Sequence, residues 1–296
     1  MNIYEARVPE NQPETKISVY LSRALPLLTE RALRDAFKNR DVKQNGARVS
    51  PDALAERNAL IQVYTPFEAS LPIVYEDERI LIIDKPSGIS AEDDARGGMT
   101  VLSVLTARAG ARYIPRLCHR LDNQTSGLLA LAKDDDTEAC LLDAFKNRTV
   151  EKRYECIVRG VPRPQSAIKE AYLVKDAARA RVRVVTHNTP EAKPIKTAYE
   201  VIETLDGASR LSVQLLTGRT HQIRAHMASI GHPLAGDGKY GKNVQNKKAG
   251  FPYQALYSYK LIFRFTTEAG MLSYLDGRAF TAQDVWYLDE FRAFPK

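Results

Sequence analysis

The chain has 296 residues, of which 44% are apolar and 27% charged, a composition typical of a globular protein long enough for two domains. Lysine and arginine number 43 against 36 acidic residues, and this net charge of +7 favours a polyanionic partner. The three cysteines have no paired spacing, the first residues lack a signal-peptide pattern, and no apolar run reaches the length of a membrane span. These features argue against disulfide-rich, secreted and membrane proteins, so we expect a soluble protein of the cytoplasm with no membrane partner.

The chain opens with a polar, proline-containing stretch over residues 1–15, which predicts an N-terminal extension. Two short helices are predicted next. The first carries an apolar stripe of Ile17, Leu21 and Leu25, and the second is expected to begin after a Thr29 cap. Together with a following hairpin they predict one small unit.

That hairpin is indicated by "DVKQNGARVS", because Asn-Gly is the pair that a tight turn between two strands prefers. Residues 16–48 hold eight lysines and arginines against three acids. Such a run is usually a solvated face, but here it belongs to one compact helix–hairpin module, which suits contacts with phosphates. Residues 16–65 resemble the S-four-type RNA-binding domain found in a ribosomal protein and several RNA-modifying enzymes. We expect RNA contacts from the cations Arg23, Arg31, Arg34, Lys38 and Arg40.

Beyond residue 72 the sequence consists of short apolar or alternating runs separated by turns. Strands are predicted for "RILIID", "SGLLALAK", "KRYECIVRGV", "ARVRVV", "IKTAYEVIE", "SRLSVQLL" and "LYSYKLIFRF". "DDDTEACLLDAFKN" predicts a helix that starts at its acidic cluster, and "THQIRAHMASIG" predicts a helix capped by Thr220 and ended by Gly231. Many strands with few helices predict an α+β domain over residues 73–296, built around a mixed, largely antiparallel sheet.

Three polar clusters lie on these otherwise apolar elements. They are His119, Arg120 and Asp122 before "SGLLALAK", Tyr154 in "KRYECIVRG", and Arg219 and Arg224 in "TGRTHQIRAH". Each has an ordinary explanation, as a turn aspartate, a buried tyrosine and surface arginines. Taken together they suggest a reactive site, because an arginine paired with a carboxylate at the mouth of a strand would stabilise its charged form.

Motifs for other chemistries are absent from the sequence. There is no H-E-x-x-H or C-x-x-C metal motif, no phosphate-binding G-x-x-x-x-G-K-[ST], no strand followed by G-x-G-x-x-G, and no G-x-S-x-G nucleophile. We therefore expect neither a metal nor a cofactor, which leaves chemistry performed by one carboxylate.

Four stretches together resemble the RluA-type pseudouridine synthases. They are "IVYEDERILIIDKPSGI", "HRLDNQTSGLLALAK", "KRYECIVRG" and "LLTGRTHQIRAHMASIGHPLAGDGKYG", which span residues 73 to about 265 in the family's order. The resemblance implies the family's catalytic fold and an isomerase that converts uridine to pseudouridine in structured RNA after flipping the base out.

Carried over to this chain, the resemblance implies that Asp122 is the catalytic aspartate and that Tyr154 packs on the target base. It implies a basic partner for Asp122 in "GRTHQIR", for which Arg224 is favoured over Arg219. Arg120 matches a family arginine proposed to fill the gap left by the flipped base, and we place His119 beside it among the RNA-binding residues. One departure is that Glu155 and Cys156 follow the tyrosine where the family often has small residues.

Two other functions remain open from the sequence. An RNA-binding protein with an inert site would bind RNA without turnover, and a nucleoside hydrolase would need a second acid that the stretches do not supply.

The partner expected from the resemblance is RNA, with ribosomal RNA of the large subunit favoured over tRNA because of the added RNA-binding domain. We expect a monomer, with a linker near residues 65–72.

Overall fold

The computed structural model describes residues 1–93, 98–176, 181–205, 207–241, 250–265 and 270–292. In chain order its elements are β1 (Asn2–Arg7), α1 (Ile17–Ala24), α2 (Glu30–Lys38), β2 (Val42–Gln44), β3 (Ala47–Arg48), β4 (Leu60–Thr65), β5 (Ile73–Glu76), β6 (Ile80–Lys85), α3 (Val101–Ala109), β7 (Arg116–Leu117), β8 (Ser126–Ala132), α4 (Asp135–Lys146), β9 (Val150–Arg159), β10 (Ser166–Asp176), β11 (Arg181–Val185), β12 (Lys193–Leu205), β13 (Ala208–Leu215), α5 (Gln222–Ser229), β14 (Leu256–Phe263), a 3₁₀-helix (Gly270–Leu275), β15 (Ala279–Thr281) and α6 (Leu288–Arg292). Within the described ranges, no helix is both long and apolar enough to cross a membrane.

Contacts between residues divide the chain into two compact units. The first comprises Met1–Pro72 and Gly88–Leu117, and the second comprises Ile73–Ser87 and Cys118–Lys296. The first unit holds a four-stranded antiparallel sheet in the order β1-β4-β2-β3, together with α1, α2 and α3.

Strand β1 corrects the prediction that residues 1–15 are a polar extension. Its residues pair with β4 from Asn2 opposite Thr65 to Arg7 opposite Leu60, and Ala6 is buried. Most side chains of β1 are exposed, and this explains why a strand can have such a polar sequence. Its strand structure depends on hydrogen bonds to a distant segment, which local composition does not reveal.

The small helices and the hairpin follow the sequence pattern. The Thr29 hydroxyl accepts a hydrogen bond from the Ala32 N–H at 3.1 Å, which confirms the predicted cap of α2. Between β2 and β3, Asn45 and Gly46 have φ values of 48° and 83°, so the turn uses the left-handed region that Asn-Gly tolerates. The predicted hairpin is therefore confirmed.

Residues 88–117 correct the predicted domain boundary, since they belong to the first unit and not to the sheet domain. The N–H of Met99 donates to the C=O of Ala24 at 2.7 Å. A Cβ on Gly98 would lie 2.3 Å from that same carbonyl oxygen, so glycine permits the close approach. These contacts join α3 to α1, a pairing between distant segments that the local pattern does not indicate.

The second unit is built on a large sheet with the order β11-β10-β12-β13-β9-β14-β8-β6-β5, to which β15 adds beside β14. Strands β14 and β8 are parallel, and the remaining pairs of this path are antiparallel. This arrangement confirms the predicted α+β class with a mixed, largely antiparallel sheet.

Strand β10 was not predicted. Its sequence "SAIKEAYLVKD" contains few large apolar residues, and most of its side chains are exposed or half-buried. The strand is held by its pairing with β11 on one side and β12 on the other. Leu173 of β10 packs with Ile195 and Ala225 in a small core, against which Val182 and Tyr240 also lie.

Gly127 allows strand β8 to pair with β14 next to the polar turn at residues 122–125. Its φ is +111°, and a Cβ there would lie 2.4 Å from the carbonyl oxygen of Ser258. Tyr257 and Ser258 are the register partners of Ser126 and Gly127 in this parallel pair. Glycine at the start of β8 therefore lets the two backbones meet where the polar cluster begins.

Candidate active site

Asp122 lies in a turn that leads directly into β8. The N–H of Thr125 donates to the C=O of Asp122 at 2.9 Å and closes the turn. The ammonium group of Lys85, a fully buried residue at the end of β6, donates to the carbonyls of Pro86 and Asn123 at 3.0 Å each. Lys85 thus joins the end of β6 to the turn and limits the positions that Asp122 can take.

Buried hydroxyls brace the same turn. Gln254 Nε2 donates to Thr125 Oγ1 at 2.6 Å, and Trp286 Nε1 donates to Ser126 Oγ at 2.9 Å. Ser126 Oγ also lies 2.8 Å from Ser87 Oγ. Both hydroxyl groups are used in structural hydrogen bonds, so Thr125 and Ser126 position the turn.

The side chain of Asp122 is paired with Arg224. Arg224 Nη1 donates to Asp122 Oδ2 at 3.0 Å, while 27% of the Asp122 side chain remains exposed. On its other edge, Arg224 Nε and Nη2 donate to the two carboxylate oxygens of Asp237 at 2.7 and 3.0 Å. The guanidinium is therefore fixed by a bidentate pair and offers its remaining edge to Asp122.

Burial and neighbouring charges shift the pKa values of Arg224 and Asp237 in opposite directions. Burial opposes the charge of Arg224, but the hydrogen bonds and charge of Asp237, with those of Asp122, raise the pKa of the guanidinium above its ordinary value. Burial likewise opposes the charge of Asp237, yet Arg224 and the N–H groups of Lys239 and Tyr240 lower its pKa. Arg224 consequently stays cationic beside Asp122.

The start of α5 differs from its prediction. Thr220 does not cap the helix; the residue before the helix is His221, whose φ is 53°, and its side chain makes no capping hydrogen bond. Buried Gln222 instead ties the preceding loop, since its Oε1 accepts from Thr217 Oγ1 at 2.8 Å and from the Arg219 N–H at 3.1 Å. The left-handed His221 turns its ring towards Asp122, with Nε2 at 3.7 Å from Oδ2.

A chain of contacts links His221 to the β10–β11 hairpin. His221 Nδ1 lies 2.9 Å from the hydroxyl of Tyr240, and that hydroxyl accepts the N–H of Val182 in β11 at 3.0 Å. Burial lowers the pKa of His221, although the charge of Asp122 partly opposes this. The ring is therefore neutral near pH 7. Tyr240 also lies against Arg224, whose guanidinium carbon is 5.2 Å from its ring centroid.

Tyr154 comes from β9 and is buried, with 5% of its surface exposed. Burial raises the pKa of its hydroxyl, and the negative charge of Asp122 raises it further. The ring therefore lies close enough to Asp122 to sense its charge, and the hydroxyl is protonated near pH 7. The structure thus brings Asp122, Arg224 and Tyr154 together from three separate segments.

The other residues selected from the sequence lie in different settings. Arg219 is exposed and is not the partner of Asp122 in the structure, and Arg120 is also exposed. His119 is buried, accepts the N–H of Ala130 on Nε2 at 3.0 Å and lies against the ring of Phe145. This corrects its expected RNA contact, because a buried and hydrogen-bonded ring holds the turn instead. The five cations selected in the first unit, Arg23, Arg31, Arg34, Lys38 and Arg40, are all exposed.

The part of the chain that the structure describes contains no group of three or more His, Cys, Asp and Glu residues arranged to hold a metal ion. What it does contain is one partly exposed carboxylate, a guanidinium fixed against it and a flat aromatic ring. This combination can orient a nucleophile or base beside a planar ligand.

Comparisons with known proteins identify the family of this chain. The family model for RNA pseudouridylate synthases matches residues 79–229, which include Asp122, Tyr154 and Arg224. The chain belongs to this family. It is therefore an RNA pseudouridine synthase, which is an isomerase.

Relatives match over most of the enzyme's length. An uncharacterized RNA pseudouridine synthase of Mycobacterium bovis is 33% identical over 276 residues, which cover 86% of this chain and 88% of that protein. Ribosomal large subunit pseudouridine synthase D of Nitrosomonas europaea is 30% identical over 279 residues, covering 88% and 80%. Ribosomal large subunit pseudouridine synthase C of Pasteurella multocida is 28% identical over 277 residues, covering 87% and 84%.

Solved structures show the same fold. Human RNA pseudouridylate synthase domain containing 4 has a TM-score of 0.60 at 22% identity, covering 74% of this chain and 90% of that chain. Human RNA pseudouridylate synthase domain containing 1 has a TM-score of 0.59 at 24% identity, covering 79% and 100%.

Sequence reasoning missed Asp237 and Tyr240 at this site. Both lie in "GDGKYG", a polar loop rich in glycine whose acid and tyrosine read as turn residues. The signal available in the sequence was the number of donors, because a guanidinium has five N–H groups and a single carboxylate partner leaves some of them unsatisfied. A second acid in the same stretch was the natural candidate for those donors.

Proposed function

We propose that this enzyme isomerises uridines of structured RNA to pseudouridine with Asp122 as its acting carboxylate. In this reaction the bond from ring nitrogen 1 to the sugar breaks, a bond from carbon 5 forms, carbon 5 loses a proton and nitrogen 1 gains one. No atoms are gained or lost, so the reaction needs no cofactor. The observation that supports it best is the pairing of a partly exposed Asp122 with Arg224 at 3.0 Å.

Asp122 initiates the reaction at the sugar. Addition of the carboxylate to the sugar and removal of a sugar proton both start from the same charged oxygen, which Arg224 orients. Asp237 fixes the guanidinium from its other side, so the carboxylate of Asp122 meets a rigid partner. Rigid placement matters because a displaced nucleophile loses most of the benefit of proximity.

Tyr154 provides the surface for the uracil. Its buried ring offers a flat face beside Asp122, and its hydroxyl is protonated near pH 7 because burial raises its pKa. We assign to it contact with the base and a hydrogen bond near carbon 5.

A uridine inside structured RNA must leave its stack to reach this site, at a cost of about a few kcal/mol. Contacts between cations and phosphates can offset this cost. Exposed Arg120 lies two residues before Asp122, exposed Arg219 lies in the loop before α5, and the exposed cations of the first unit support its assignment as an S-four-type RNA-binding domain. Several relatives are named as synthases of the ribosomal large subunit, and we propose ribosomal RNA of that subunit as the substrate.

The test uses RNA labelled with tritium on uracil carbon 5 and taken from cells that lack this chain. Release of tritium to water by the wild type and not by Asp122→Asn would support the proposal. RNA binding without release by either protein would favour a binding module, and release of free uracil would favour a hydrolase. Either of these outcomes would overturn the proposed function.

A further inference from the structure

Lys152 lies on the same face of β9 as Tyr154. The two residues are separated by one position, and alternate side chains of a strand point to the same face of the sheet. Both residues pair with β14, Tyr154 with Ser258 and Lys152 with Leu261, and the bulge between these pairs belongs to β14. The side chain of Lys152 therefore leaves the strand on the same face as that of Tyr154.

The ammonium group of Lys152 lies near Gly218, in the loop that precedes α5, and near His119, in the segment that precedes Asp122. Its Nζ is 3.6 Å from where a Cβ of Gly218 would lie, and 5.5 Å from the ring centroid of Phe145. It also lies close enough to His119 for its charge to add to the effect of burial in lowering the pKa of that ring. Gly218 lacks a side chain, so the space beside the ammonium group stays open.

The ammonium group of Lys152 has no acidic partner in the part of the chain that the structure describes. Lys152 is half-buried, and across the described ranges no carboxylate lies within ion-pair distance of its Nζ and no acceptor within hydrogen-bond distance. Burial lowers its pKa, and no nearby acid compensates. The contact that the ammonium group does make is with the face of the Phe145 ring, so its N–H donors can bind an anionic ligand that reaches the partly exposed side chain.

The surroundings determine the charge of that ligand. Exposed arginines lie on the two chain segments next to Lys152, with Arg219 directly after Gly218 and Arg120 directly after His119. Cations on neighbouring segments favour a ligand of negative charge. Phosphate is the anion that RNA supplies at every nucleotide, and lysine binds it as a point charge.

We propose that Lys152 binds a backbone phosphate adjacent to the nucleotide held against Tyr154. This assignment rests on the proposed function, since it takes the ligand of the cleft to be RNA. It makes Lys152 a residue for binding and positioning, not one that exchanges protons with the base. The opposite role, in which a neutral Lys152 takes the proton from carbon 5, is an outcome of the test below.

The test compares Lys152→Gln, Lys152→Arg and the control Lys146→Gln, which removes the same charge from an exposed site at the end of α4. RNA binding is measured as dissociation constants at several salt concentrations, with total RNA from cells lacking the chain. Lys152→Gln should weaken binding about tenfold and reduce the slope of log affinity against log salt by about 0.7 to 0.9, the value of one phosphate contact. Lys152→Arg should restore most of the affinity, and Lys146→Gln should leave the slope unchanged.

Turnover of tritiated RNA separates binding from proton transfer. If Lys152 binds phosphate, Lys152→Gln raises KM by about the same factor as the dissociation constant and changes kcat little. A fall in kcat with unchanged KM and unchanged salt slope would overturn the proposal in favour of proton transfer. An unchanged salt slope with unchanged kinetics would overturn it as well.

Two controls keep the result interpretable. Removing a positive charge that has no acidic partner should leave the melting temperature equal or higher, whereas a merely structural Lys152 would give a lower one. Binding is measured independently of turnover. If the wild type binds RNA but releases no tritium, the proposed function is refuted. The salt slope of Lys152→Gln compared with that of the wild type would still show whether Lys152 binds a phosphate.

Discussion

At the scale of single residues, the site depends on how two aspartates balance the buried charge of Arg224. Arg224 is held by Asp237, which is fully buried, and by Asp122, which is partly exposed. The buried acid gives the arginine a fixed position, and the exposed acid remains accessible to a ligand. The two acids thus have different tasks because their burial differs, although both contact the same guanidinium.

Asp237→Asn should destabilise the second unit by about 3 kcal/mol, because it leaves the Arg224 charge buried with a weaker partner. It should also lower kcat, since Arg224 loses its fixed position beside Asp122. Urea unfolding and tritium release measure the two effects. The control Asp289→Asn removes an acid from the exposed pair with Arg292 and should change little. Equal unfolding midpoints for Asp237→Asn and wild type would contradict this role.

His226 predicts a pH dependence of stability. Burial lowers its pKa to about 4, with Lys169 adding to the effect, whereas an unfolded histidine titrates near 6.5. Below about pH 6.5 the unfolded chain binds the proton more readily, so the free energy of unfolding should fall by about 2 kcal/mol towards pH 4.

The measurement is urea unfolding across that pH range. His226→Gln should show a shallower fall than wild type, because it removes the group that the unfolded chain protonates. The control His187→Gln changes an exposed histidine and should keep the wild-type slope. A His226→Gln profile as steep as that of the wild type would rule out this assignment.

At the scale of elements, the site depends on strand ends and turns that meet closely. Strand β8 follows the Asp122 turn and pairs in parallel with β14 only at its first residues. Gly127 makes this contact possible, because any side chain there would collide with the backbone of Ser258.

Gly127→Ala should therefore lower the melting temperature strongly and abolish tritium release, since β14 and the turn that carries Asp122 must separate. The matched control is Gly207→Ala, whose φ of +78° is similarly unfavourable but whose Cβ would meet open space. A melting temperature equally low in both variants would show that backbone strain alone accounts for the effect.

Tyr240 connects the β10–β11 hairpin to the site. Tyr240→Phe removes a hydroxyl that accepts the Val182 N–H and contacts His221, while its ring keeps its place against Arg224. We expect hydrogen exchange at Val182 to accelerate and kcat to fall up to about tenfold, as for the loss of one or two hydrogen bonds. Unchanged exchange at Val182 would mean that the hydroxyl does not hold the hairpin.

Sequence patterns predicted those elements whose signal is local. Helix α2 with its Thr29 cap, the Asn45-Gly46 hairpin and the apolar strand β8 were all readable from a few neighbouring residues. Strands β1 and β10 were missed because their side chains are mostly polar or exposed, and only pairing with distant strands makes them strands. The left-handed His221 was missed for a related reason, since it depends on tertiary contacts and not on a capping motif.

The same distinction applies to the site. Asp122, Tyr154 and Arg224 were selected because they form polar clusters on otherwise apolar elements and lie in stretches that resemble a family. Asp237 and Tyr240 were not selected, because their roles depend on which buried donor lies opposite them in space. His119 was assigned to RNA because it neighbours Arg120 in sequence, but its ring faces the interior.

At the scale of the whole molecule, the net charge of +7 favours RNA as the partner, and the exposed cations of the first unit are proposed contacts with it. A double substitution, Arg31→Gln with Arg34→Gln, should weaken RNA binding and reduce the salt slope by about one to two, while kcat at saturating RNA stays near wild type. Filter binding and tritium release measure these quantities. The charge-matched control Lys146→Gln with Arg292→Gln should leave the salt slope unchanged. A loss of kcat without a change in affinity would contradict the assignment of this unit to RNA binding.

The most direct test of the account is a count of pseudouridine in RNA from cells lacking this chain, after incubation with wild type or with Asp122→Asn. The account predicts new pseudouridine with the wild type and none with Asp122→Asn, while both proteins bind the RNA with similar affinity. Equal amounts of pseudouridine from the two proteins would contradict the central claim that Asp122 performs the reaction.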